Sequence, residues 1–413
     1  MSEGWSLYTI LPWSCYHKSF PMTICTRGLR GPAIVALFCL TAGCGHSAHS
    51  ASDHKSTDET KPVSPITASR EADEVARFLA GLPGKPDSPF AEMEATAAWK
   101  KHREIVDAAW HETDQRLLQS YAAFQRAELD RSPFLNSNVF YPFAGPDVLT
   151  PLAFFPKSPA YVLVALEPAG TLPTVAQIGR KNLAEYLGAM RQTMSSLLGR
   201  SFFVTREMDR QFRGQVTDGL LVPILQLLVR TNHTVLGFRY VRLDDDGALI
   251  DRPANYHTAG VIGNKATEIE FRSDADQSVH RLIYLSVNLS NVRLGIDPAF
   301  MKYARTLNGS VSMLKATSYM THKAEFSAIR DLVLEVSTAV LEDDSGVPYR
   351  FFTPDRWKVQ LFGEYDRPFG AFKWMDQKDL RAAYREPGVK PLPLKIGYGF
   401  SKINSNLLLA ERK

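Results

Sequence analysis

Apolar residues recur every three to four positions between residues 71 and 129. They run first through Val75, Phe78 and Leu79, then through Ile105, Ala108, Ala109, Leu117, Leu118, Tyr121 and Phe124. That period gathers them on one side of a helix and leaves the charged remainder to water. The break Gly81-Leu82-Pro83-Gly84 predicts a short first helix and a longer second one over 92–129. Beyond residue 130 the texture changes. Residues 138–143 read as extended, and 147–155 as a short helix with Pro146 in its first turn. The run Ala160-Tyr161-Val162-Leu163-Val164-Ala165-Leu166 is continuously apolar and of strand length, as a strand buried on both faces would be. Helices are predicted over 175–198 and 216–229, and a strand over 234–243. Strand, helix, strand, helix, strand is the order that builds parallel α/β layers.

The second half is richer in strands. Asp246-Gly247 supplies a hairpin turn after residue 243. Strands are predicted over 267–271 and 280–289, with further extended stretches at 349–352, 357–362 and 394–400. An amphipathic helix is predicted over 324–341 through Phe326, Ile329, Val333, Val336 and Val340, with Gly346 as a left-handed stop. The expected fold is therefore α/β: a mixed sheet with flanking helices, an N-terminal helical segment and a more antiparallel, strand-rich C-terminal half. Its segments are a helical part over 70–130 and a globular part over 131–413, with a possible division near residue 250.

Of the 413 residues, 45% are hydrophobic and 22% charged, values of a globular chain rather than a disordered one. The formal net charge is +4. Lys18, Arg27 and Arg30 lie in the first 43 residues, so the remainder is closer to neutral. A near-neutral chain without a basic stripe argues against nucleic acid as a partner. All four cysteines, Cys15, Cys25, Cys39 and Cys44, precede residue 45. No disulfide, thiolate metal site or thiol nucleophile is expected after them.

Residues 32–40 form a short apolar run preceded by Arg27 and Arg30, and they lead into Leu40-Thr41-Ala42-Gly43-Cys44. A basic start, a short apolar middle and small residues before a cut are the marks of a secretory signal. Leu40 to Cys44 resembles the attachment site of bacterial lipoprotein precursors, although Thr41 stands where that class prefers an aliphatic residue. The resemblance implies cleavage before Cys44, acylation at Cys44 and a membrane partner through the lipid. Gly45 in place of aspartate implies outer-membrane sorting toward the periplasm in a host with two membranes. The run is too short to span about 30 Å of hydrocarbon. Residues 1–43 are thus expected to be a signal peptide whose true start is Met22. Residues 44–69, polar and holding His46, His49 and His54, are expected to be a disordered tether.

Candidate chemistry rests on carboxylates. Asp147 follows an expected strand and opens a helix, where it either meets a ligand or caps free N–H groups. Glu167 ends the best strand, a position suited to a general base or a ligand contact. Asp343 and Asp344 close the expected helix over 324–341, where negative charge is disfavoured and needs compensation. Trp357 and Trp374, in an aromatic C-terminal third, are candidates for a binding face or for core. His233, His257, His280 and His322 lack ligand spacing. No nucleophile elbow, His-Glu-x-x-His, dinucleotide fingerprint or phosphate loop occurs, so no cofactor and no metal site is implied. The expected role is a membrane-anchored lipoprotein that binds a small molecule or a protein. The alternatives are an extracytoplasmic hydrolase using these carboxylates and a purely structural envelope protein.

Overall fold

Five short strands with side chains buried on both faces form the centre of the protein. In the computed structural model, which describes residues 66–198, 218–252, 265–368, 372–399 and 405–413, the strands in chain order are as follows. They are β1 Val139–Pro142, β2 Ala160–Ala165, β3 His233–Leu243, β4 Leu249–Asp251, β5 Lys265–Ser273, β6 Val279–Ser286, β7 Ser310–Leu314, β8 Ser337–Glu342, β9 Trp357–Gly363 and β10 Asn406–Arg412. All lie in one ten-stranded sheet of order β4-β3-β5-β6-β2-β1-β7-β8-β10-β9. The central strands β6, β2, β1, β7 and β8 pair in parallel. The β3–β5 wing at one edge and β10–β9 at the other are antiparallel. The mixed α/β class expected from the pattern is the observed one.

Side-chain alternation assigns the two faces. Val139 and Tyr141 of β1, with Tyr161 and Leu163 of β2, point into one core, and Phe140, Val162 and Val164 into the other. The first core is covered by helices α1 Arg70–Leu79, α3 Ala97–Thr113 with its continuation α4 Gln119–Phe124, α5 Leu149–Phe154 and α8 Leu221–Arg230; α2 is the single turn Ala91–Glu94. Between them α6 Val175–Gly179 and α7 Leu183–Leu198 form a satellite core with α1. The second core is covered by α9 Asn291–Ile296, α10 Ala299–Arg305, α11 Ser327–Val336 and α12 Lys378–Ala383. The helix expected over 92–129 is present only from Ala97, where the Thr96 hydroxyl caps its start and separates it from the turn Ala91–Glu94, and it carries π-helical turns at Asp114–Leu118 and Gln125–Leu129.

Several expectations are corrected. Residues 234–243 were placed among parallel strands, but β3 runs antiparallel to both β4 and β5; the three strands follow β2 and precede β6 in the chain and extend the sheet outward beyond β6. The sheet crosses residue 250 without a break in its strand order. The helix expected over 324–341 ends at Val336, and Ser337 at once turns extended to begin β8. Val336 and Val340 fit either period. The strand wins because β7 and β10 satisfy its backbone on both sides. Residues 349–351 and 397–399 are short 3₁₀ turns rather than extended chain.

The end of the presumed tether is also placed. Ala68 bridges Gly237, Ser69 N–H donates to Leu236 O at 2.9 Å, and the Ser69 hydroxyl caps α1. Gly237 is required there: a β-carbon would lie 2.5 Å from Thr67 O. The leader, Met22, Cys44 and the tether through residue 65 lie outside the described residues, as does His257. No helix among the described residues is long and apolar enough to cross a membrane.

Candidate functional site

In chain order the five parallel strands read 3-2-1-4-5 across the sheet, so successive connections leave in opposite directions on either side of the β1–β7 boundary. Open α/β sheets hold ligands in the crevice beyond the strand C-termini at such a switch point. Asp147 follows β1, Glu167 follows β2, Lys315 follows β7, and Asp343 with Asp344 follows β8.

Asp147 is the hub of one cluster. Its carboxylate accepts from Tyr141 OH at 2.9 Å and from the Thr150 N–H at 3.2 Å. The Thr150 hydroxyl donates to it at 2.8 Å, and Lys315 Nζ stands 2.5 Å from Oδ2. Asp147 thereby caps the turn into α5 and also ties β1 to β7. Burial and the adjacent Asp147 push the Tyr141 phenol well above its ordinary range, so it stays a donor. Lys315 also donates to Thr150 Oγ1 at 2.8 Å, and both charged side chains are buried.

The second cluster lies at the end of β8, where Glu342 and Asp343 are buried and Asp344 is half-buried. Among the described residues none of them forms an ion pair with lysine or arginine. Asp343 accepts from Ala316 N–H at 2.9 Å, Ser345 N–H at 3.0 Å and the Ser345 hydroxyl at 2.5 Å. Asp344 accepts from Tyr319 OH at 2.5 Å and Asn406 Nδ2 at 3.0 Å. The Val347 N–H donates to Glu342 Oε2 at 2.8 Å. Desolvation pushes all three carboxyls up: Glu342 well above its usual range and Asp344 upward. In Asp343, burial and then the Asp344 charge raise the value to about 7. A small recess is lined by these three residues together with Tyr349, Gln377 and Tyr384.

The loop joining the clusters is strained. Ala316, Ser318 and Tyr319 have φ of 52°, 55° and 53°, and Phe143 after β1 has 63°. These are four of the seven non-glycine residues with positive φ among the described residues. Tyr398 OH donates to Ala316 O at 2.9 Å and accepts from the Ser318 N–H at 2.9 Å, holding the loop in place. Tyr319, Phe372 and Tyr398 pack ring against ring above it.

Of the residues singled out in the sequence, Asp147 and Asp343 share a neighbourhood, both acting on Tyr121 and Tyr141. Glu167 is buried at the β2 tip and acts on Tyr284, away from that recess. Asp343 and Asp344 end a strand rather than a helix, so no helix dipole opposes them. Gly346, expected left-handed, is not among the residues with positive φ. Trp357 does not belong to an open face. It is 2% exposed, edge-on to Phe352 and under the Arg412 guanidinium. Trp374 is 64% exposed. His233, His280 and His322 are packed, and burial lowers His322 to about 4. Sequence reasoning missed Lys315, Tyr319, Glu342 and Asn406. A lysine directly after the apolar run Val311-Ser312-Met313-Leu314 was the available signal for the first. No group of histidine, cysteine, aspartate or glutamate among the described residues has the arrangement of a metal site. No protein-family model, curated protein or solved structure matches the chain.

Proposed function

We propose that this chain is a lipid-anchored extracytoplasmic protein whose globular part binds a small molecule or a protein at the C-terminal edge of its central strands. The supporting observation is the concentration of left-handed, non-glycine backbone around the switch point, at Phe143, Ala316, Ser318 and Tyr319. Such strain, about 1–3 kcal/mol per residue, persists only where the surroundings over-determine it, and it clusters at ligand sites. The anchoring part rests on Cys44 and the apolar run before it. In a host with two membranes, Gly45 supports the outer membrane, facing the periplasm.

Cells fed labelled palmitate should yield labelled, membrane-bound wild type and an unlabelled, soluble Cys44→Ala form. Label or membrane retention in that variant overturns the anchor. Binding is tested by thermal melting against amines, nucleosides, sugars and peptides. A ligand that raises the melting temperature of wild type should lose its effect in Ser318→Trp, which fills the edge, and an equal effect in both rejects the site.

One observation favours the hydrolase reading. Burial and Asp344 bring Asp343 to about 7, the range in which acid–base catalysis at neutral pH is efficient. Turnover of an ester, amide or glycoside by wild type, lost in Asp343→Asn with unchanged substrate binding, would replace binding by catalysis.

A further inference from the structure

Two arginines at the C-terminal edge of the central strands share one aromatic ring. Arg330, in the first turn of α11, places its Cζ 4.2 Å from the centre of the Phe351 ring. Arg350, after β8, places its Cζ 4.9 Å from the same centre. Holding two guanidiniums against one ring gathers like charges, a cost that an anion beside them offsets.

The protein itself offsets little of it. Arg330 Nε donates to Asp331 Oδ1 at 3.0 Å, but that carboxylate belongs to the next residue and its side chain is 63% exposed. Arg350 is exposed and has no ion pair among the described residues. Lys323 Nζ meets the Met320 sulfur at 4.0 Å and no carboxylate among the described residues. Glu325 is exposed, and Asp344 turns its oxygens to Tyr319 and Asn406. Because α11 runs from β7 back to the parallel β8, its positive end lies at this edge, with no acid in its first turn. The field reaches His322, which burial and then Arg350 and Arg330 lower to about 4. Phe326, just before α11, meets Phe143 after β1 edge-on at 6.1 Å, and both rings are half-buried.

We propose that Arg330 and Arg350 form a subsite for the phosphate group of a soluble phosphomonoester whose organic part lies against Phe143 and Phe326. The inference rests on the reading of this edge as a binding site and names the chemistry of its ligand. Two guanidiniums from different elements present two forks of N–H donors to a tetrahedral dianion, whereas a single fork suffices for a carboxylate. Stacking on Phe351 holds both forks in place before the ligand arrives.

The probe is phenyl phosphate, titrated by calorimetry into the full chain in detergent micelles at constant ionic strength. Wild type should bind it saturably. Arg350→Gln and Arg330→Gln, checked by circular dichroism, should each weaken binding by about tenfold or more. Arg356→Gln removes an exposed arginine outside the pair and should leave binding unchanged. No saturable binding by wild type, or equal weakening in Arg356→Gln, overturns the subsite. Benzoate or the headgroup diester glycerophosphoglycerol binding as tightly as phenyl phosphate also overturns it, by assigning the edge to carboxylates or to lipid. A second readout uses wild type alone. Histidine-ring NMR, assigned with His322→Gln, should show the His322 value climb from about 4 when sulfate, a dianion that does not itself titrate there, offsets the arginine charges. A value that stays in place at saturating sulfate overturns the subsite. A ligand that loses its effect in Ser318→Trp but keeps it in Arg350→Gln rejects the subsite and retains the edge as a binding site.

Discussion

Gly397 lies directly against the Asp343 carboxylate, with its backbone left-handed at φ 60° and no room for a β-carbon before Oδ2. The contact joins the 3₁₀ turn Gly397–Gly399 to the end of β8. Gly397→Ala therefore meets two penalties, left-handed strain of about 1–2 kcal/mol and overpacking of about 1–3 kcal/mol. A loss of about 2–4 kcal/mol in urea denaturation is expected. A loss below the strain penalty alone would mean that the carboxylate moves aside freely.

Lys315 and Asp147 form a buried ion pair with satisfied neighbours. Lys315→Met leaves the aspartate uncompensated and should cost about 3–5 kcal/mol. Adding Asp147→Asn should recover part of that loss, since the isolated charge is then gone. A double variant no more stable than Lys315→Met would show that the lysine acts through packing alone.

Ala316 is a non-glycine residue at φ 52° with its N–H held by Asp343. Ala316→Gly relieves about 1–2 kcal/mol of strain and loses about 0.4–1 kcal/mol through the freer unfolded chain. Net stabilisation of about 0–1.6 kcal/mol is expected. Destabilisation by thermal melting would show that the methyl group packs usefully.

Stability should respond to pH through Asp343 in a direction opposite to an ordinary salt-bridged acid. Its value rises from 3.8 in the unfolded chain to about 7 when folded, chiefly by desolvation. Between those values the folded form holds the extra proton, so stability falls as pH rises, by at most about 1.4 kcal/mol per pH unit, and is flat above. Buried His102 and His322, both lowered from 6.5 to about 4, act in the other direction. Their contribution is intact above 6.5 and is lost as pH falls toward 4. The informative quantity is thus the difference between wild type and Asp343→Asn across the range. A difference independent of pH would remove Asp343 as a titrating group.

Periodicity alone located the helices from residue 70 to residue 129, the strands β2, β6 and β9, and the mixed α/β class, because each of those segments carries its own apolar repeat. The reading of Cys44 as a lipid site rests on charge, length and small residues in one stretch of chain that lies outside the described residues, and it stays a proposal. The short strands β7, β8 and β10 were not legible. Their residues fit more than one period, and their backbone partners come from distant parts of the sequence. The same holds for the site. Lys315 and Thr150 are 165 residues apart in the chain and 2.8 Å apart in the fold. Composition marked Asp147, Glu167, Asp343 and Asp344 as acids worth noticing. Only the strand order decided which of them meet, because burial and charge pairing are properties of neighbours in space.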